Sequence, residues 1–420
     1  MNTAVAPVAA DRTGQPGRSL AVLWQNEHFP DIAKGGGGAV NTRYICKALG
    51  GFGHRPTVLA RLARPGLPSN ETVDGIRVVR LDPPVPPRGL WPLWPLVEAR
   101  ALRARLAPRA RDFDFFCAVD SSYALALKAL FPDRSLLYRV EGLPSDRGRI
   151  PAPGSLARRA ALRLLDATDQ LAERLAWRRA DVIVVKSNFM GRVLTGRYRV
   201  PPAKVAVIPN GVDFERFARA EVQSGLLDRF GRRDGSPVVI AFAGRLVAMK
   251  NVSALLEAFA LMRRRADAVL LVVGDGDQRP ALEDHARRLG VAERCVFTGL
   301  VEHVESVLVG ADIFVLPSTY EPFGNALVEA MAAGLAPVAF HPDDRRVRTA
   351  SAEILRDGET GLLVQPPDPE ALARALDRLV QDAGLRRRLG RQAQEECGRR
   401  FSWDRCATRY LELAAEAGRR

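Results

Sequence analysis

The stretch DIFVLPSTYEPFGNALVEAMAAG, residues 312–334, passes from an apolar run through a Pro/Gly turn into a helical period. Asp312–Ser318 reads as a strand, Pro322 and Gly324 shape a turn, Asn325 caps a helix, and Gly334 closes it. Strand, turn and helix in this order are the repeating unit of a parallel, doubly wound sheet. Glu321 then lies on the loop at the strand's carboxyl end, and Glu329 one turn into the helix. The free N–H groups of Gly324, Asn325 and Ala326 suit hydroxyls or anions. Carboxylates accept hydrogen bonds from vicinal hydroxyls, so the pair fits a ribose or a hexose. A capped surface helix with two solvated glutamates would read the same way.

The unit recurs in both directions. Before it stand SLAVLWQNE (19–27), PTVLA (56–60), IRVVRL (76–81), FDFFCAV (113–119), SLLYRV (135–140), DVIVVKS (181–187) and KVAVIPN (204–210), most of them separated by helical stretches. After the charged connector at 213–235 come VVIAFAG, AVLLVVG (268–274), RCVFTG (294–299), DIFVLPS, LAPVAF (335–340) and GLLVQ (361–365). The expectation is an α/β protein of two Rossmann-like domains facing across a cleft lined by strand carboxyl ends. Residues 1–18 read as a flexible tail, 19–212 as the first domain, 213–236 as a linker, 237–395 as the second domain, and 396–420 as a terminal helix.

A length of 420 residues accommodates two such cores, and 47% hydrophobic against 26% charged residues is a globular balance. No apolar run reaches membrane-spanning length, and the opening residues lack the pattern of a secretion signal. Five scattered cysteines argue against a disulfide framework and against a C-x-x-C metal knot, which points to a cytoplasmic location. The net charge of +14 falls in the first 200 residues, with 31 Lys and Arg against 17 Asp and Glu; the remainder balances at 31 against 31. Such a field attracts anionic partners. A genome rich in arginine, filling solvated helix faces, would leave the same excess.

Three further turns follow strands. In GRLVAMKN (244–251), Arg245 and Lys250 place two positive charges near a helix start, an arrangement suited to a diphosphate. AKGGGG (33–38) reads as a glycine loop whose backbone approaches a phosphate closely; it lacks the G-x-x-x-x-G-K-[ST] and G-x-G-x-x-G patterns of nucleotide hydrolases and nicotinamide enzymes. VVGDGDQ (272–278) is another glycine turn.

Arg245, Lys250 and the E-x7-E pair Glu321/Glu329, in this order, resemble the retaining nucleotide-sugar transferases of glycosyltransferase family 4, with the GT-B fold. The resemblance runs from about residue 20 to 412 and takes in the GGGG loop, IPNGVD (208–213), FAGRL, VVGDG, VFTG, PSTYEPFGNALVEAMAAG, ILRDGETGLLV and RFSWDRCATRYLEL. It implies an N-terminal acceptor domain and a C-terminal donor domain, with the last helix returning to the first domain. It also implies that Arg245 and Lys250 bind the donor diphosphate, that Glu329 holds the ribose, and that Glu321 holds the transferred sugar beside the reacting carbon. Donor contacts then extend to Gly35, Gly36, Gly37, Gly38, Asn210, Gly244, Gly274, Thr298, Phe323, Gly324, Asn325 and Ala326. Neither metal nor cofactor is implied, the nucleotide-diphosphate sugar being a co-substrate. The sequence departs from the family on the acceptor side: a customary histidine is replaced by RVEGLPSDRG, which offers Glu141 and Asp146, and TASAE retains only Glu353 of a Gly-Gly-x-Pro-Glu run.

The expected activity is transfer of a hexosyl group to a saccharide or lipid-linked acceptor; the rival is a catalytically silent sugar-nucleotide-binding or interaction protein. Segments 88–111 and 155–180 combine tryptophan and arginine and suit an anionic membrane surface, implying peripheral attachment at the inner face. Core tryptophans beside solvated arginines would give the same composition. No zinc spacing, basic zipper or RNP-like strand signals nucleic-acid binding.

Overall fold

The computed structural model describes residues 19–26, 29, 32–61, 67–81, 100, 102–104, 112–143, 156–223, 225, 237–343 and 345–419, without the side chains of 32–37 and 156–166. The described residues form two compact units. One draws on Met1–Lys186, Met190–Pro209 and Trp403–Arg420, the other on Ser187–Phe189 and Asn210–Ser402.

The first unit contains β1 (Ala21–Gln25), β2 (Arg55–Arg61), β3 (Asn70–Val73), β4 (Ile76–Leu81), β5 (Phe115–Ala118), β6 (Ser135–Arg139), β7 (Val182–Val185) and β8 (Val205–Val207). They lie in the order β3-β4-β2-β1-β5-β6-β7-β8, parallel except for the β3/β4 hairpin. That hairpin escapes a search for apolar runs because NETV is polar and half-exposed. Helix α1 (Ile32–Gly51) and the final helix, Trp403–Ala417, cover one face, where Tyr410 meets Trp24 edge-on at 4.9 Å between ring centroids. The returning helix thus begins at Trp403; residues 396–402 belong to the second unit.

The expected glycine loop is helical. Gly35, Gly36, Gly37 and Gly38 occupy the first turns of α1, although each glycine costs a helix up to about 1 kcal/mol relative to alanine. Packing around Gly38 does not itself demand a glycine, since an added Cβ there would make only ordinary contacts. A side chain there would begin 3.8 Å from the Glu141 carboxyl, and the Gly38 carbonyl accepts a 3.1 Å hydrogen bond from Asn26 Nδ2.

The second unit is a six-stranded parallel sheet of β9 (Val238–Ala243), β10 (Ala268–Val273), β11 (Cys295–Gly299), β12 (Ile313–Leu316), β14 (Ala336–Phe340) and β16 (Leu362–Val364). Its order, β11-β10-β9-β12-β14-β16, is that of a dinucleotide-binding sheet. Successive residues of β9 alternate between two cores: Val238, Ile240 and Phe242 face one, Val239, Ala241 and Ala243 the other. Burial on both faces explains why these strands read as unbroken apolar runs. A small ladder, β13 (Tyr320–Glu321) with β15 (Arg348–Thr349), stands apart from the sheet.

The turn after β10 packs directly on the turn after β9. At Gly274, with φ at +126°, an added Cβ would fall 2.0 Å from the Gly244 carbonyl oxygen. VVGDG is therefore a seat for the Gly244–Leu246 backbone, tied by Leu246 N–H to the Asp275 carbonyl at 2.8 Å. Gly274→Ala is expected to destabilise the chain by about 2 kcal/mol or more, since backbone and not a flexible side chain must yield. Thermal unfolding checks this; an unchanged midpoint would contradict the packing described.

Candidate active site

β9 and β12 are neighbours, but the chain leaves β9 for β10 and β11 before returning to β12. The sheet order reverses between them, and in doubly wound sheets the crevice beyond the carboxyl ends at such a point is where ligands bind. The two loops that emerge there carry the charged residues singled out from sequence.

They are joined at two places. Met249 carbonyl accepts from Thr319 N–H at 2.9 Å, and Lys250 Nζ forms an ion pair with Glu321 Oε2. The Lys250 and Glu321 side chains are 18% and 14% exposed, which protects the pair from solvent screening. Glu321 is held by the β13/β15 ladder, its carbonyl accepting from Ala350 N–H at 3.0 Å, so it sits on a short strand and not on a free loop. Arg245 lies between the anchored residues Gly244 and Leu246 and is exposed.

The helix Asn325–Ala332 starts from Gly324, whose φ of +115° takes it out of the helical region. Asn325 is the first helical residue and not the cap: its Oδ1 accepts from Asn210 Nδ2 at 2.7 Å. With Asn210 buried, this bond fixes the helix start against the IPNGVD segment. The Phe323 ring is buried against Phe401, leaving only its backbone for a ligand. Ala326 lies in the first turn, and Glu329 one turn on is partly exposed. Thr298 Oγ1 donates to the Gly299 carbonyl at the end of β11, on the far side of β10.

Burial raises the Glu329 carboxyl above its ordinary pKa. Arg216 opposes the shift and Glu305 adds to it. Arg216 is ion-paired with Glu305, whose other oxygen lies 3.2 Å from His303 Nδ1. This charge cluster was not legible in the sequence, because Arg216 and Glu305 come near Glu329 only through the fold. Ser187 and Glu353 were also missed as structural anchors: Ser187 Oγ donates to the Pro322 carbonyl at 2.6 Å, and the Glu353 carboxylate accepts from Asn188 and Phe189 N–H, each at 2.6 Å.

In the first unit, Glu141 sits between two cations. Burial would raise its pKa, but Lys186 and Arg139 hold it down at about 2. Arg139 Nε is 2.6 Å from one carboxylate oxygen and Lys186 pairs with the other, while Arg139 Nη1 donates to Tyr410 Oη at 2.8 Å. Glu141 is thus a fixed acceptor of hydrogen bonds and a weak base. Asp146 and most of 88–111 lie outside the described residues. Among the described residues no group of three His, Cys, Asp or Glu could hold a metal ion, and no helix is long and apolar enough to cross a membrane. The five cysteines are all buried and none forms a disulfide.

Two family models match the chain, "Glycosyltransferase Family 4" over residues 35–216 and "Glycosyl transferases group 1" over 227–396. The chain belongs to the GT-B glycosyltransferases. An uncharacterized glycosyltransferase of Methanocaldococcus jannaschii is 27% identical over 93% of this chain and 96% of its own length. The D-inositol 3-phosphate glycosyltransferase of Salinispora tropica is 35% identical, over 57% of this chain and 51% of its own length. Among solved structures, sucrose-phosphate synthase from Thermosynechococcus elongatus superposes with a TM-score of 0.75 at 23% identity, covering 95% of this chain and 99% of that one. That likeness establishes the GT-B fold in this glycosyltransferase.

The raised pKa of Glu329 has a consequence for stability. A carboxyl whose folded pKa exceeds its unfolded value destabilises the folded state progressively as pH rises from the unfolded pKa, and the penalty levels off above the folded one. Glu329→Gln in this glycosyltransferase is therefore expected to raise the unfolding midpoint of the ligand-free protein at pH 7, with the gain vanishing below about pH 4. A midpoint lowered at pH 7 would contradict the burial argument.

Proposed function

We propose that the chain transfers a hexosyl group from a nucleotide-diphosphate donor to a saccharide or lipid-linked acceptor, with retention of anomeric configuration and without a metal. The observation that supports this reading most is the Lys250–Glu321 pair, a cation and a carboxylate side by side at the switch point of a dinucleotide-type sheet. Lys250 and Arg245 engage the diphosphate. As the bond from the anomeric carbon to the phosphate oxygen breaks, their charge stabilises the negative charge growing on the leaving group, the role a metal plays elsewhere. Glu321 accepts hydrogen bonds from the transferred sugar and steadies the reacting carbon, while Glu329 accepts from the ribose.

The amides of Phe323, Gly324, Asn325 and Ala326, together with Asn210, Gly244, Gly274 and Thr298, complete the donor site. Gly274 acts through its support of the 244–246 turn and not by contact. Gly35 to Gly38 are assigned to the donor and Glu141 and Asp146 to the acceptor. With both its oxygens engaged by cations, Glu141 orients the acceptor and does not deprotonate it. The reading extends to a cytoplasmic enzyme attached peripherally to an anionic membrane through 88–111 and 155–180.

Thermal-shift titration with UDP, GDP and ADP sugars tests the reading. One of them is expected to stabilise the chain by about 2.7 kcal/mol at a hundredfold excess over Kd, and Glu329→Ala should abolish most of that shift. The same donor should be hydrolysed slowly without acceptor. A shift without hydrolysis would favour the silent binding protein; no shift with any donor would refute the assignment.

A further inference from the structure

The first unit holds a polar cavity away from the residues assigned to the transfer reaction. It lies at the amino-terminal ends of β7 and β8, opposite to the strand ends that carry Glu141 and Lys186. Its volume is about 480 Å³. The last turns of helix Leu156–Arg179 form one wall with Arg174, Trp177 and Arg178; the turn leading to β8 forms the other with Tyr198, Arg199 and Lys204. Among the described residues no acidic side chain lines it.

Two features mark it as built for a ligand. The Trp177 indole N–H and the Tyr198 hydroxyl are both buried without a hydrogen-bond partner, and Trp177 is 3% exposed. Leaving such a group unpaired costs about 1–3 kcal/mol, which a ligand oxygen would recover if a small shift of the wall exposed the atom. The Tyr198 ring is flanked by Arg174 and Arg197, with guanidinium carbons 5.8 and 5.7 Å from its centroid. Lys204 is committed to the helix end, donating to the Arg178 and Ala180 carbonyls at 2.8 Å each. The arginines thus remain the charges that face a ligand.

The surroundings indicate where that ligand comes from. Leu171 and Leu175, 58% and 41% exposed, are two of the few large apolar side chains left in solvent among the described residues. Residues 171, 174, 175 and 178 fall at i, i+3, i+4 and i+7, so leucines and arginines share one helix face. A soluble phosphate would not require the leucines, and an apolar partner would not require the arginines.

We infer that this cavity binds the phosphate headgroup of an anionic phospholipid, with Leu171 and Leu175 entering the acyl boundary beside it. The inference rests on the membrane part of the proposed function and assigns it to Arg174, Trp177, Tyr198 and Arg199. It is independent of the donor site.

Co-sedimentation of the full chain with phosphatidylcholine vesicles, with and without phosphatidylglycerol, tests it. Binding is expected only with phosphatidylglycerol, weakening as salt rises. Arg174→Gln combined with Arg199→Gln should lower partitioning roughly thirtyfold, and Leu171→Asn with Leu175→Asn at least roughly tenfold. The leucines are exposed, so the second pair guards against misfolding of the first, and all variants should keep the wild-type thermal shift with nucleotide sugar. Failure of the wild type to bind at low salt would overturn the inference. Unchanged binding by both variant pairs would overturn it too, leaving attachment to 88–111. A thermal shift with glycerol phosphate but no vesicle binding would assign the cavity to a soluble phosphate and equally overturn it.

Discussion

The Lys250–Glu321 ion pair is the contact on which the organisation of the second unit's crevice depends. It spans the one place in the sheet where two adjacent strands, β9 and β12, send their chains apart, and where no crossover helix closes the gap. Each partner arrives on a loop that is itself anchored. The 244–250 turn rests on Gly274 and Asp275, and Glu321 is pinned by the β13/β15 ladder. The opposite charges are thereby presented in fixed positions instead of collapsing onto solvent or onto each other's backbone. Preorganisation of this kind supplies electrostatic stabilisation without reorganisation during the reaction.

The first unit handles charge by a different rule. Arg139, Glu141 and Lys186 satisfy one another beneath Tyr410, so the carboxylate is held ionised at about pKa 2. Glu329 lies at the other extreme, held towards neutrality by burial and by its neighbour Glu305. One carboxylate is locked as an acceptor; the other responds to any positive charge that comes near it. Placement of carboxylates in such unequal environments separates orienting groups from ligand-responsive ones.

Much of this was readable in the letters because burial on both faces of a parallel sheet leaves uninterrupted apolar runs, and each run ended in a turn of recognisable chemistry. Arg245, Lys250, Glu321 and Glu329 could be named from their positions after those runs. What the letters concealed depends on distant contacts. The tetraglycine reads as a loop from propensity, yet all four residues lie in the first turns of a helix, with the Gly38 carbonyl held by Asn26. Asn325 reads as a cap, yet its side chain is spent on Asn210, more than a hundred residues away in sequence. Gly274 reads as a glycine turn at a strand end, yet its missing Cβ makes room for the Gly244 carbonyl. The Arg216–Glu305 pair and the Trp177–Tyr198 cavity carry no local signature at all.

The most direct test is a double-mutant cycle on Lys250→Ala and Glu321→Ala, read by urea unfolding of the full chain. If the pair joins the two loops, the single losses will exceed what the double variant shows, with a coupling of about 1–3 kcal/mol. Losses that simply add would mean the two side chains act independently, and the switch-point crevice would lose the interaction that organises it.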